Sequence, residues 1–152
     1  MSYSNIEGAL QTISQTLTSY FAVAAQVTRG DYSVLDTGYD YALVLYPGPY
    51  EDAGYWANNT IARAWTVHAD LFVRVAGDDA GAVSNLIAAR EAWLDKLHAY
   101  PRLNNLSGVQ SVNATRGDEP SWLFDDSNNG PFWLKQSFTV SVTELATVTT
   151  LG

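Results

Sequence analysis

The sequence predicts an α+β domain of two layers, a mostly antiparallel sheet of about four strands with two helices on one face, in the order αββαββ. Three observations predict it. Two segments repeat apolar residues at spacings of three and four, the period of a helix with one buried face. Other segments alternate apolar and polar residues, the period of a strand. Gly, Pro, Asn and Asp cluster between these segments, as connections require. The 152 residues fit one domain, with 3–146 as the folded core and 147–152 as a frayed polar tail.

The first helix is expected over residues 4–22, where Ile6, Leu10, Ile13, Leu17, Tyr20 and Phe21 share a face. Ser4 and Glu7 have the spacing of a capping box. Arg29-Gly30-Asp31 reads as a turn, and an edge strand fits residues 32–35. The first main strand covers 39–46 and stops at Pro47-Gly48-Pro49, because proline donates nothing to a ladder. A long loop follows, carrying Tyr50, Tyr55 and Trp56. The second main strand covers 64–75 and sets Trp65, Val67, Ala69, Leu71 and Val73 against Thr66, His68, Asp70, Phe72 and Arg74. Asp78 caps the second helix, whose inner stripe is expected to be Val83, Leu86, Ile87, Arg90, Leu94 and Leu97, with Trp93 beside it and Pro101 as the stop. A third strand covers 108–115, residues 116–131 read as a loop holding Trp122 and Phe124, and the last strand covers 132–146. Thr66, His68, Asp70, Arg74 and Lys135 fall on the face opposite the helices, which is expected to meet water or a polar partner.

Composition narrows the function. Hydrophobic residues make up 47% and charged residues 16%, too apolar a balance for a disordered chain. The net charge of −8 argues against gripping nucleic acid, which takes Lys and Arg to displace counterions from phosphate. With no Cys, disulfides and thiolate metal sites are excluded. The first residues show neither a basic region nor an apolar run, so no signal peptide is expected, and no run reaches the ~18 residues of a membrane span.

Chemistry finds little footing. His68 and His98 are far apart in sequence and match no HxH, HxxH or HExxH spacing, so no metal site is expected. His68 and Asp70 lie two apart on one strand face, but no nucleophile motif such as GxSxG accompanies them. The acidic pairs at 78–79, 118–119 and 125–126 have simpler roles in a helix start and in turns, and residues 125–130 lack the DxDxDG spacing of a calcium loop. No glycine-rich phosphate loop occurs. No enzyme, catalytic residue or cofactor is expected. What remains is two aromatic stretches set among turn formers, and Tyr50, Tyr55, Trp56, Trp122 and Phe124 are the candidate anchors for a partner.

The layout has a likeness. The segments YALVLYPGP (41–49), ARAWTVHADLFVRVAGDD (62–79), AVSNLIAAREAWLDKLHAYPRLN (82–104), SGVQSVNA (107–114) and FWLKQSFTVSVTEL (132–145) follow an amphipathic N-terminal helix. Together they resemble the tail terminator, or tail completion, proteins of long-tailed bacteriophages, and less closely the related head–tail joining proteins. The resemblance covers nearly the whole chain in layout and carries no invariant motif. It implies a virion structural protein, made in the host cytoplasm, that forms a ring of typically six copies at the head-proximal end of the tail tube. Such a ring ends tube growth and joins the tail to a neck or connector protein. DNA passes through its lumen without specific binding, and no membrane is involved. The alternatives are another neck protein, of head-completion or stopper type, and a small-ligand-binding α+β domain using His68 and Asp70.

Overall fold

A computed structural model describes residues 3–36, 38–57, 59–106, 108–124 and 131–147. The elements are α1 (Tyr3–Gln15), β1 (Val27–Arg29), β2 (Tyr41–Ala57), β3 (Thr60–Arg74), α2 (Asp79–His98), β4 (Val109–Gly117), β5 (Ser121–Phe124) and β6 (Pro131–Thr147). Two 3₁₀ turns, Ala24–Gln26 and Tyr32–Asp36, flank β1. The class is the expected α+β, but the order is αβββαβββ, and the sheet has six strands among the described residues where about four were expected. Its order is β1-β2-β3-β6-β4, with β5 also paired to β6. All pairings are antiparallel except that of β1 with Leu43–Leu45 of β2. Thr147, expected in the tail, still pairs with Thr60, and 148–152 lie outside the described residues.

Helix α1 ends seven residues before the expected 22. The stretch from Thr12 to Ser19 is rich in Ser and Thr, whose hydroxyls compete for backbone carbonyls. Ser14 Oγ donates to the Leu10 carbonyl (2.7 Å) and Thr16 Oγ1 to that of Ile13 (2.6 Å). The backbone tightens into i→i−3 bonds at Thr16 and Leu17. Phe21 still reaches the core, though from beyond the helix. The expected capping box does not form. Ser4 lies inside α1, and Glu7 is buried, accepting from Arg29 Nε at 2.8 Å and from the Tyr3 hydroxyl.

The edge strand expected at 32–35 is instead the second 3₁₀ turn. Asp31 Oδ1 accepts from the Ser33 amide (2.9 Å), the local bond by which Asp starts a turn. The strand sits earlier, at β1, where Gln11 Nε2 donates to the Val27 carbonyl.

Strand β2 runs through Pro47-Gly48-Pro49 instead of stopping there. On one side β1 ends opposite Leu45, so β2 is an edge strand from Tyr46 onward and its prolines have no ladder to break there. On the other side it continues against β3 by slipping one residue between Pro47 and Tyr50, again between Asp52 and Tyr55, and again between Tyr55 and Ala57. Gly48 occupies the first slip for want of room. A Cβ there would lie 2.8 Å from Thr66 Cγ2 and 2.9 Å from His68 Nε2. The expected long loop is therefore one side of a hairpin, and β3 begins at Thr60 rather than 64. β6 matches β3 along its whole length, from Thr60↔Thr147 to Arg74↔Trp133.

Asp78 caps α2 as expected, accepting from the Gly81 amide at 3.0 Å. The inner stripe is rotated from expectation. Ala82, Leu86, Ala89, Trp93 and Leu97 are buried, while Val83 and Ile87 are each 40% exposed. Trp93 packs against Phe138 of β6, ring centroids 5.2 Å apart, and its Nε1 donates to Ser14 Oγ on α1 (2.9 Å). Arg90 turns aside to Gln136.

The main core lies between the helices and one sheet face, around Ile6, Leu10, Leu43, Leu71, Leu86, Trp93 and Val140. The other face was expected to be polar. It holds a second, smaller cluster of Val34, Ala42, Val44, Phe72 and Trp133, which the Tyr32–Asp36 turn helps to cover.

Candidate functional site

Alternation on β3 places His68 and Asp70 on the face away from the helices, as expected. Asp70 is buried there, 2% exposed. Its row on the sheet is Val44, Asp70 and Ser137. Ser137 Oγ donates to Oδ1 at 2.6 Å, and Tyr32 reaches down from its turn to donate to Oδ2 at 2.9 Å. The Tyr46 hydroxyl stands 3.5 Å from Oδ1. Burial, the bond to Asp70 and the charge of Asp70 hold the Tyr32 hydroxyl well above its ordinary pKa. Burial and the charge of Asp70 raise Tyr46 likewise. The His68 ring lies 5.0 Å from the Tyr46 ring and makes no hydrogen bond to Asp70 among the described residues. The carboxyl thus receives donors from the protein itself on both oxygens. That arrangement ties a turn to a sheet and leaves Asp70 poorly placed to act as a base.

An open cleft of about 560 Å³ lies between α1, the first 3₁₀ turn and β1, lined by Gln11, Gln15, Thr28, Arg29 and Asp31 among others. Its amides already serve the backbone, Gln11 to Val27 and Gln15 to Ala24. Arg29 is held by Glu7 and Ser4. Among the described residues, no three His, Cys, Asp or Glu come together as metal ligands would, and no helix is long and apolar enough to cross a membrane. Asp125 and Asp126 lie outside the described residues.

The candidate anchors separate into different places. Tyr50 is 63% exposed and stacks on Trp65 with ring centroids 5.1 Å apart. Trp65 in turn meets the Tyr3 ring at 5.9 Å and donates from Nε1 to Glu144 Oε1 at 3.1 Å. Glu144 is fully buried, and its Oε2 has no hydrogen-bond partner among the described residues. Tyr55 and Trp56 are on β2, and their side chains lie outside the described residues. Trp122 is not in a loop. It sits on β5 opposite Leu134 and is half-buried against the main core. Phe124 ends β5 and is 64% exposed.

Tyr50 and Phe124 are far apart. Tyr50 aligns with Val142 of β6 through Trp65, and Phe124 pairs with Pro131. Eleven residues of extended strand separate those β6 positions, roughly 37 Å. Phe132, beside Phe124's partner, is 43% exposed and widens that patch. The exposed pair Val83 and Ile87 was missed because its spacing of four matches a buried stripe equally well. No family model matches the chain, and no curated protein matches it.

Proposed function

We propose that this chain is a structural protein of a bacteriophage tail, forming a ring at the head-proximal end of the tail tube, where it ends tube growth and joins the tail to the neck. The observation that carries this reading is the pair of exposed aromatic patches, Tyr50 at one end of the sheet and Phe124 with Phe132 at the other. A ring built head to tail uses two different patches on every copy, and a protein stacked between tube and neck needs a contact at each end. The fold suits the role mechanically. Two helices stiffen one face of the sheet, and β2, β3 and β6 run on to the β2–β3 hairpin turn at one end. The resemblance in layout to tail terminators supplies the specific place. A net charge of −8 agrees with a lumen that lets DNA pass and does not hold it.

Light scattering over a concentration series, on the protein alone and with purified tail tubes added, tests the reading. A six-copy ring is expected, either free or on the tube ends, together with capped tubes of fixed length. A protomer that ignores the tubes overturns it.

A further inference from the structure

Charge is sorted along this chain, and the topology carries the sorting to opposite edges of the sheet. Residues 30–57 contain Asp31, Asp36, Asp40, Glu51 and Asp52 and no Lys or Arg. Residues 96–117 contain Lys96, Arg102 and Arg116 and no Asp or Glu. The first stretch follows β1 and builds β2, which form one edge. The second completes α2, turns at Pro101 and builds β4, the last strand on the other side. A chain of net charge −8 therefore presents one cationic edge.

Part of this charge is spent within the protomer. Asp52 meets Arg63 at 2.9 Å, and Asp40 meets Arg74 at 3.8 Å. Glu51 and Asp31 are exposed, and neither forms an ion pair among the described residues. Arg102 and Arg116 are exposed and Lys96 is half-buried, and none of the three forms an ion pair among the described residues. Arg102 is held close to β4, because the Pro101 carbonyl accepts from the Val112 amide at 2.7 Å. Asp118 and Glu119 follow β4, which confines the basic strip to the part of the edge before them.

We propose that the basic edge of one copy, Arg102 and Arg116, receives the acidic β2 edge, around Glu51, of a second copy. This rests on the ring reading and supplies the two faces it requires. The edges lie three strand spacings apart, about 14 Å, and point away from each other. One two-fold interface cannot bring both together, so the pairing runs head to tail. Tyr50 stands next to Glu51 and adds an apolar anchor to the same contact. The contact is one of side chains rather than a continued ladder. Pro47, Pro49 and three slips interrupt one edge, and the Pro101 turn occupies part of the other.

Sedimentation velocity over a concentration series tests this with four samples: the wild type, Glu51→Lys, Arg102→Glu/Arg116→Glu, and an equimolar mixture of the two variants. Circular dichroism confirms that each is folded. The wild type is expected to form species larger than a dimer, less so as salt rises. Each variant alone is expected to associate roughly tenfold or more weakly, and the mixture to recover association. The milder Arg102→Gln/Arg116→Gln is expected to fall between wild type and the reversal. Variants that assemble as well as wild type overturn the edge contact and leave the ring standing. So does a mixture that stays apart while wild type assembles. A wild-type chain that remains a protomer alone also overturns the edge contact, and the ring reading falls with it only if added tubes fail to recruit the protein.

Discussion

Asp70 shows how one buried carboxyl can organise a surface. It holds Ser137 of β6 and Tyr32 of the 3₁₀ turn, with Tyr46 of β2 close by. The consequence appears in alkali. Tyr3, Tyr32, Tyr41 and Tyr46 all have hydroxyls raised above the ordinary value of 10.0, chiefly by burial. The unfolded chain gives up these protons first, so above pH 10 it binds fewer protons than the native state, and stability falls as pH rises. Below that value the contribution is complete and flat. Urea midpoints between pH 8 and 11.5 are expected to decline only at the upper end. Tyr32→Phe is expected to lessen the decline while costing about 1 kcal/mol at neutral pH, the loss of one donor to a buried acceptor. The tie itself was only half legible in the sequence. Alternation placed Asp70 on its face, but Tyr32 lies 38 residues away and was read as part of a strand.

Among the elements, α2 followed its local signals at the ends and departed from them in the middle. Asp78 is a cap by both sequence and geometry, and Asp78→Ala is expected to cost about 1 kcal/mol in urea unfolding. The buried stripe was misread because residues 80–89 contain no charge, so nothing marked which side faces water. The choice was made by Trp93 and Ser14, a contact across 79 residues. β2 was misread for the opposite reason. Its prolines are a true local signal, but they act only on the side where hydrogen bonds are absent. β5 went unseen because four residues among turn formers show too little alternation to register.

For the whole molecule, the class is legible in the sequence, two helices on one face of a mainly antiparallel sheet, and the number of strands is not. Exposure of the aromatics was the part least available to it. Tyr50 and Trp122 look alike as residues in turn-rich stretches, and only strand pairing separates the exposed ring from the half-buried one. The same scale carries the expectation about DNA. A chain of −8, with eight basic residues against sixteen acidic ones, is expected to leave duplex DNA unshifted in gel mobility at physiological salt. A retarded band that weakens with salt would show that the basic edge holds phosphate instead of protein.

Each slip on β2 adds a residue that β3 does not match, and a strand with a surplus must coil. The hairpin is therefore a bent, twisted ribbon and cannot be a flat template. Flat exposed edges recruit strand after strand without limit and end as fibres. A coiled one accepts a neighbour only at the angle its own curvature dictates, and repeated addition at a fixed angle bends growth back towards its starting point. The extra residues in β2 thus bear on how many copies can gather before growth stops.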